Sequence, residues 1–402
     1  MSNRFKYTIV GASTCLMVLL LVGSVLGQSS NPDDTFKHIG VFSEVVSYIK
    51  DQYVEEPDMK SVTLGALNGL LEAVDPFASY LNADQYRDYV KNKDLKRADV
   101  GLILAKKFGY LGVVDAVPGS PADKAGFTTH DMIESVKGIS TRDMPLAYAA
   151  ILLQGESNTT VELSVVRVRH PEPQTVTLMR ANLAMPPVES RMLAGQVGYI
   201  EVGALSDAQL KDIAEAIGKL QRDGAAKLVV DVRHCAVGTP EDGIALANLF
   251  LSKGLITYVM GQRYPRQDIQ ADPAKAITTL PVAFLTNQGT AGGAEIAAAA
   301  IQDSKRGSLV GDRTYGDAAI RKPITTEDGG AIILSVAKYY SPGGKAIQDT
   351  TVVPQYVVAE QEPSVDYDDN GEPIPAPAVP QAQPKKLEDD PVLKKALEVL
   401  GK

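Results

Sequence analysis

The spacing of apolar residues divides the chain into three successive patterns. Across residues 35–92 apolar positions recur three and four apart, as on one face of a helix, and residues 56–58 break this pattern into two helices. Across residues 98–183 short strand-like runs bounded by turn residues predict β-strands. Beyond Pro187, apolar strands alternate with helical segments, which predicts an α/β layer with parallel strands.

The N-terminus carries a segment of a different kind. An uncharged apolar run, residues 8–27, follows Arg4 and Lys6. This order is typical of a secretory signal, and the run is also long enough to span a bilayer. We therefore expect residues 1–27 to be either a cleaved signal peptide or a retained membrane anchor. In both cases the rest of the chain is expected outside the cytoplasm, in the cell envelope or periplasm.

The C-terminal tail also stands apart. Residues 361–385 are rich in proline and contain an acidic stretch, which predicts an extended linker. The amphipathic residues 388–400 then predict a short helix with Pro391 near its first turn. Weak packing and a docking role are both open for this helix.

Composition narrows the range of functions. The chain has 402 residues and a formal net charge of −9, which argues against a general nucleic-acid binder. Its two cysteines, Cys15 and Cys235, are not expected to form a disulfide, because Cys15 lies in the apolar N-terminal run. The sequence contains neither an HExxH nor a CxxC pattern, so no metal or other cofactor is predicted.

Several motifs agree in order and spacing with one family. The stretch LLEAVDPFASYL, the PDZ-like residues 100–141, and the later motifs LVVDVR, TNQGTAGGAEI and GDRTYG follow one another as in that family. In these motifs the chain resembles the C-terminal processing peptidases, also called tail-specific proteases, which are PDZ-containing serine peptidases with a Ser/Lys mechanism. The resemblance implies a multidomain α+β fold whose α/β core is of the crotonase/ClpP-like type. The implied parts are an N-terminal helical region at 28–97, a β-rich PDZ domain at 98–183, a peptidase-like core at 187–360, and a linker with a short helix at 361–402.

The catalytic positions implied by the resemblance carry unsuitable residues. The nucleophilic serine of the family falls on Gly292, the general-base lysine on Asp317, and the glutamine that orients the lysine on Arg321. Acyl transfer of this class needs a hydroxyl and a nearby base, so these positions predict an inactive site. Asp317 and Arg321 are expected to form an exposed ion pair there. Phe77 stands where the family usually has a histidine.

The oxyanion turn departs from the family pattern as well. The family's N-P-G-G turn reads Cys-Ala-Val-Gly at residues 235–238, so the oxyanion region comprises Val237, Gly238 and, beside the nucleophile position, Gly293. Loss of one oxyanion donor costs about 3 kcal/mol of transition-state stabilisation. The N–H of Val237 can still donate, so this change alone leaves the turn's function open.

A relocated nucleophile is the alternative. Thr290 lies two residues before Gly292, a displacement of about 6–7 Å along an extended chain. Cys235 could pair with His234, but neighbours in an extended segment face opposite sides. Catalysis by either residue is therefore disfavoured, although not eliminated.

The PDZ resemblance implies a peptide site at Val100, Gly101 and Leu102, where backbone N–H groups would receive a terminal carboxylate. Asp99 precedes this loop where the family usually has a small residue, and its charge is expected to weaken carboxylate binding. The alternative is a purely structural role, in which the PDZ domain serves only as a rigid spacer.

Two functions follow as the main alternatives. The first is an exported, non-catalytic homologue of the family that binds peptides or regulates, a pseudoprotease. The second is an active serine-type endopeptidase that cleaves protein C-terminal regions with a relocated catalytic set. An enzyme of different chemistry, such as an acyl-CoA enzyme on a related fold, has no supporting cofactor motif.

Partners are expected to be peptides or unfolded protein C-termini, or an active protease relative. The membrane is a further expected contact if residues 1–27 are retained, and a homo-oligomer is also anticipated. No nucleic-acid partner is expected.

Overall fold

The fold was obtained as a computed structural model, which describes residues 32–93, 95, 97–107, 109–129, 131–142, 144–167, 170–358 and 389–401. The predicted signal or anchor, residues 1–27, lies outside this range, and so does the predicted linker at 361–385. Among the described residues, no helix combines the length and apolarity needed to cross a bilayer. The chain forms two compact units, divided in sequence between Thr63 and Leu64.

Helices are spread along the whole chain. The described residues form α1 (Pro32–Gln52), α2 (Met59–Glu72), α3 (Ala83–Asn92), α4 (Pro121–Lys124), α5 (Leu146–Leu153), α6 (Asp207–Arg222), α7 (Pro240–Asn248), α8 (Gly293–Asp303), α9 (Ile347–Thr350) and α10 (Pro391–Gly401).

Strands lie between and after these helices. They are β1 (Ser79–Leu81), β2 (Leu102–Lys107), β3 (Tyr110–Ala116), β4 (Met132–Val136), β5 (Ile139–Ser140), β6 (Thr160–Arg167), β7 (His170–Met179), β8 (Glu189–Leu193), β9 (Val197–Glu201), β10 (Lys227–Asp231), β11 (Leu255–Gly261), β12 (Tyr264–Gln270), β13 (Val282–Thr286), β14 (Ser308–Gly311), β15 (Ala319–Thr325), β16 (Ala331–Tyr340) and β17 (Tyr356–Val357).

The strand-like runs between residues 98 and 183 form one antiparallel sheet. Its order is β2-β3-β4-β6-β7, with β5 paired to β4. Inward-facing residues such as Leu111, Ile133 and Leu163 are fully buried and form a hydrophobic core with α5. Along β6, exposed and buried residues alternate at first, so that one face of this strand is buried, whereas β3 is buried almost throughout.

The continuous apolar runs form a second sheet, ordered β17-β14-β13-β10-β9-β8. All its neighbours are parallel except β8 and β9. Both faces of its central strands are covered, which explains why β10 and β13 are apolar throughout rather than alternating. Helices α7 and α8 contribute to the core on one face.

The C-terminal helix α10 covers part of the other face. Val392, Leu393 and Ala396 are buried against residues of this sheet, including Val229 and Leu285. Asp390 also forms an ion pair with Arg233 at 2.7 Å. The sequence leaves weak packing and a docking role open for this helix, and in the structure the helix is packed firmly against the sheet.

A third sheet contains the one strand that the sequence pattern misassigned. Its order is β1-β16-β11-β12, with β15 also paired to β16. The stretch DPFASYL, residues 75–81, predicts a turn, but residues 79–81 pair antiparallel with residues 331–333 of β16. This pairing joins distant parts of the chain, so local patterning does not reveal it. Similarly, the stretch PEDGIALANLFLSKG predicts a helix over residues 240–254, but α7 ends at Asn248.

The parallel sheet determines where a site can form. Ligands of open α/β sheets bind beyond the carboxyl ends of the strands. Here β10 leads into residues 232–238, and β13 leads into residues 287–292 and the start of α8. These two turns contain the predicted nucleophile and oxyanion positions.

Candidate functional site

The turn between β13 and α8 has an unusual backbone conformation at Gly292, the predicted nucleophile position. Gly292 has φ 60° and ψ −120°, a combination that L-residues with side chains rarely adopt. A strained strand-turn-helix elbow of this kind is the geometry that presents a catalytic serine in other hydrolases. A Cβ placed on Gly292 would lie 3.6 Å from the Asp317 carbonyl oxygen and 3.7 Å from that of Gly238. The elbow therefore has room for a side chain, although the chain has none there.

Glu295 holds this elbow in place. Its carboxylate is fully buried and accepts hydrogen bonds from the backbone N–H groups of Gly292 at 3.0 Å, Gly316 at 2.7 Å and Asp317 at 2.7 Å. The Thr314 hydroxyl donates a fourth hydrogen bond to it. One buried side chain thus joins the nucleophile position to the segment that carries the base position.

Burial dominates the electrostatics of Glu295. Desolvation raises the pKa of its carboxyl, and hydrogen bonds from Thr314, Asp317 and Gly316 oppose this effect by stabilising the ionised form, so that the pKa is about 7. The nearby Asp317 carboxylate raises it further. The site therefore contains an acid that titrates near neutral pH, but its role in the structure is to bridge two loops.

The predicted base and orienting positions carry an ion pair. Asp317 and Arg321 are hydrogen-bonded through their side chains, as expected from the sequence. The pair is partly buried rather than exposed, because the guanidinium of Arg321 lies over the ring of Phe77, 4.2 Å from its centroid. Tyr315 contacts the same ring edge-to-face at 5.9 Å between centroids. Cation–π contact and ion pairing together fix Arg321 in this position.

Phe77 was not among the predicted site residues. It is buried among Ala105, Val114 and Tyr315, far in sequence from the elbow. Only its departure from the family's usual histidine could have drawn attention to it. The structure brings together Phe77, Arg321, Asp317 and, through Glu295, Gly292.

The oxyanion turn lies beside the elbow. The Val237 carbonyl accepts a hydrogen bond from Leu205 N–H at 2.8 Å, and the Ala291 N–H donates to the Cys235 carbonyl at 3.1 Å. Gly293 begins α8 in close contact with α7: a Cβ there would lie 2.3 Å from the Thr239 carbonyl oxygen. The predicted oxyanion residues are thus gathered around Gly292, in a backbone arrangement that requires glycine at residue 293.

The candidate substitute nucleophiles are engaged or inaccessible. Thr290 is fully buried, and its hydroxyl donates to the Val232 carbonyl at 2.8 Å while accepting from Asn287 N–H at 3.1 Å. Cys235 is fully buried, and burial raises the pKa of its thiol well above the usual range. A buried, protonated thiol is a poor nucleophile. Neither residue has the exposure that acyl transfer requires.

His234 faces a different partner from the one considered. Its Nδ1 lies 3.2 Å from Asp115 Oδ1, and its Nε2 lies 3.0 Å from the Asn287 amide nitrogen. Asn287 uses its oxygen to accept the backbone N–H of His234 at 3.1 Å, so its nitrogen is the donor to the ring. His234 therefore carries its proton on Nδ1 and connects β3 to the parallel sheet. Sequence reasoning missed this contact, because Asp115 and His234 lie in separate predicted domains.

The predicted peptide-binding loop is compact. Val100 is fully buried in the core of the first sheet, and its carbonyl accepts from Ala122 N–H at 2.9 Å. Gly101 has φ 83°, and its N–H donates to the Asp99 carboxylate at 2.9 Å. Leu102 begins β2, which is an edge strand among the described strands of its sheet. Within the described residues, no group of three or more His, Cys, Asp or Glu side chains is arranged to hold a metal ion.

Comparisons with known proteins agree with the fold. A sequence profile of peptidase family S41 matches residues 196–358, and a PDZ domain profile matches residues 112–167. The carboxyl-terminal-processing protease of Synechocystis sp. is 31% identical over 350 residues, which cover 85% of this chain and 81% of the relative. The carboxy-terminal processing protease CtpA of Bacillus subtilis is 28% identical, with 87% and 74% covered.

A solved structure is similar along most of the chain. The photosystem II D1 C-terminal processing protease superposes with a TM-score of 0.64 at 26% identity, covering 79% of this chain and 86% of that protein. The chain belongs to the C-terminal processing proteases of peptidase family S41. The predicted fold, with a PDZ domain and an α/β protease core, is thereby confirmed.

Proposed function

We propose that this chain is a non-catalytic member of its family, exported to the cell envelope, that binds peptides or unfolded protein segments. The observation that carries the proposal is the content of the site. The elbow at Gly292 has no side chain, and the base position is an aspartate paired with Arg321. Covalent catalysis needs a nucleophile with a general base within reach, and the residues at these positions do not provide that pair.

The ion pair also argues against a rescued base. The Asp317 carboxylate already accepts a hydrogen bond from the Arg321 guanidinium, which occupies the group that would have to act as the base. Phe77 and Tyr315 enclose the pair on the side of the PDZ domain. The arrangement favours a stable, inert site over a displaced catalytic one.

The retained scaffold supports binding. The elbow, the bridging Glu295 and the edge strand β2 preserve the surfaces against which a peptide could lie. Relatives of this chain are named as proteases that process carboxyl termini, which supports a peptide as the ligand class. This proposal includes regulation of an active relative, because a protein that binds a substrate without cleaving it can sequester that substrate or present it to the relative.

A direct assay tests the absence of catalysis. The full chain, purified in a non-ionic detergent because of its apolar N-terminus, is incubated with an unfolded protein that has an apolar tail. Cleavage is followed by mass spectrometry, and binding by fluorescence anisotropy of a labelled tail peptide. We expect binding without cleavage above the buffer control.

Variants assign any cleavage that appears. Thr290→Ala, Cys235→Ala and Ser335→Ala remove the hydroxyls and the thiol nearest the site; Ser335 lies opposite Arg321 across β15 and β16. Cleavage that one of these substitutions abolishes would establish the active alternative. Absence of both cleavage and binding would instead remove the peptide-binding part of the proposal.

Export is tested separately. Residues 1–31 are fused to alkaline phosphatase, which folds to an active form only where its disulfides form, outside the cytoplasm. The pattern of Arg4 and Lys6 before the apolar run predicts an active fusion. An inactive fusion that becomes active with a known signal peptide would contradict the proposed location.

A further inference from the structure

The carboxylate loop, residues 99–102, already contains a carboxylate. Asp99 Oδ1 accepts the Gly101 N–H at 2.9 Å. A peptide with a free C-terminus would present its own carboxylate to this type of loop, where backbone N–H groups act as donors. In this chain one donor of the loop is therefore engaged by a side chain of like charge to that ligand.

The loop has little freedom to release this donor by rearranging. Gly101 has φ 83°, and a Cβ at this position would lie 2.3 Å from the Ser120 Cβ. Its carbonyl accepts from Val117 N–H at 2.8 Å, and the backbone of Asp99 pairs with Ala181 in both directions at 3.0 Å. The loop is thus held from both sides, with the Asp99 side chain directed back onto it.

The nearest buried cation does not compensate. Arg180 is buried and donates to the carbonyls of Leu153 at 2.8 Å and Leu152 at 2.9 Å, which cap the end of α5. Asp99 already interacts with Arg180 as an opposite charge. A ligand carboxylate would compete with Asp99 for this cation rather than meet an unopposed positive charge.

The other end of the PDZ groove is covered by the chain itself. The N–H of Ala147, in the first turn of α5, donates to the Ser79 hydroxyl at 3.4 Å, and Phe77 packs against Ile103 and Ala105 of β2. A ligand strand therefore has to engage β2 near its start at Leu102, next to Asp99.

We propose that Asp99 is a specificity-determining residue that makes this PDZ domain discriminate against free C-terminal carboxylates and accept internal peptide segments. An internal segment pairs with the β2 edge through its backbone and brings no charge to the carboxylate loop. The inference rests on the proposed peptide-binding function and specifies its ligand class. The ligand is an internal peptide segment whose uncharged backbone continues past the loop, and not a peptide C-terminus.

Paired peptide libraries measure this specificity. A randomised fluorescent decapeptide library is made twice, once with a free C-terminal carboxylate and once as the C-terminal amide, and the best binder of the full chain is taken from each. For each of these two peptides, the affinities of the free-acid and the amide form are then compared by fluorescence anisotropy. For the wild-type chain we expect the amide to bind at least as tightly as the free acid.

Two substitutions separate charge from hydrogen bonding. Asp99→Asn keeps an oxygen for the Gly101 N–H but removes the charge, and Asp99→Ala also frees the donor. The ratio of free-acid to amide affinity is expected to rise in that order, reaching about tenfold or more in favour of the acid for Asp99→Ala, because like charges across an interface are strongly unfavourable. Glu162→Gln, an exposed charge on β6, is the matched control and should leave the ratio unchanged.

The ratio of free-acid to amide affinity separates a change in specificity from a damaged fold, because a damaged fold would weaken the binding of both peptide forms alike. A wild-type preference for the free acid, or a ratio unmoved by Asp99→Ala in a chain that still binds, would overturn the inference and leave the proposed function standing. Failure of every peptide to bind the wild type and both variants would overturn the two together.

Discussion

Gly292, the predicted nucleophile position, has no side chain but adopts the backbone conformation that would present one. Its φ of 60° is unfavourable for a residue with a side chain, whereas its surroundings leave space for a Cβ. The geometry of the elbow is therefore imposed by the turn between β13 and α8, and not by the residue at its apex. Glycine adopts this backbone conformation without strain, whereas a residue with a side chain, such as the serine of an active relative, would be strained there.

Replacing Gly292 with serine should cost stability without a steric clash. We expect Gly292→Ser to lower the free energy of unfolding by about 1–3 kcal/mol, the usual cost of a side chain in a sparsely populated backbone region. Urea denaturation measures the change. Gly218→Ala, inside α6 where only the Arg222 side chain approaches, should instead stabilise by about 0.5–1 kcal/mol. Equal stability of Gly292→Ser and wild type would show that the elbow is unstrained.

Glu295 should make stability depend on pH. A carboxyl whose pKa is higher in the folded state, about 7 against 4.5, binds its proton more tightly when folded. Its contribution is therefore fully present below pH 4.5 and declines as pH rises through 7. Relative to Glu295→Gln, the wild-type chain should lose about 3 kcal/mol over this interval.

Urea denaturation at several pH values checks this difference. Glu215→Gln, which removes an exposed carboxylate of α6, is the control, and its pH profile should run parallel to that of the wild type. Parallel profiles for Glu295→Gln and wild type would contradict the assigned role of burial.

The residues at the family's catalytic positions, 292, 317 and 321, could be predicted from the sequence through motif spacing, and that assignment stays a prediction. The interaction of Arg321 with Phe77 could not be predicted, since no local pattern relates residues so far apart. The fourfold hydrogen bonding of Glu295 was likewise hidden. Its position one turn into a predicted helix is compatible with an ordinary capping residue.

At the scale of elements, two helices approach each other more closely than side chains allow. A Cβ on Gly243 of α7 would lie 1.9 Å from the Gly293 carbonyl oxygen of α8, and a Cβ on Gly293 would lie 2.3 Å from the Thr239 carbonyl oxygen. This contact sets the position of the α8 N-terminus, and hence of the elbow, relative to the oxyanion turn.

Gly243→Ala should separate these helices. Backbone lies on the opposing side, so the clash cannot be relieved by a rotamer change, and we expect a loss of about 3 kcal/mol or more in unfolding free energy. Thermal denaturation followed by circular dichroism detects it, with Gly218→Ala again as the helical control. A Gly243→Ala chain as stable as the wild type would show that α7 and α8 can move apart freely.

Most elements were predictable because each carries its own period. The apolar runs of β10 and β13 and the strand-like runs of β3 and β6 agree with the strands observed. β1 was missed because its three residues gain strand structure only by pairing with β16. The end of α7 was placed too late because apolar residues continue beyond Asn248 and are buried there outside the helix.

For the whole molecule, α10 closes the face of the parallel sheet that the other helices leave open. Its apolar residues pack on β10 and β13, and Arg233 is shared between Asp231 and Asp390, at 2.6 and 2.7 Å. Arg233 immediately precedes His234, so the docked helix contacts the same turn that leads to the oxyanion region. The sequence indicated the amphipathic helix but could not indicate its docking surface.

Leu393→Asp should undock this helix. Leu393 is almost fully buried, and a charge there has no partner, so we expect the free energy of unfolding to fall by about 2–4 kcal/mol. Hydrogen exchange of the α10 amides should accelerate together with the loss of stability. Lys394→Asp, at the exposed neighbouring position, should remain within about 0.5 kcal/mol of the wild type. Unchanged exchange in Leu393→Asp would contradict the docking.

The decisive measurement is the intact mass of the full chain after incubation with a fluorophosphonate probe and, separately, with a cleavable peptide under rapid acid quench. The probe phosphonylates an activated hydroxyl, and the quench retains an acyl group on a hydroxyl or thiol when its hydrolysis is slower than its formation. For a chain with glycine at the elbow and an aspartate–arginine pair at the base position, we predict a mass equal to that of the untreated chain. A stoichiometric acyl or phosphonyl adduct, mapped to one residue and absent when that residue is replaced, would contradict the non-catalytic function.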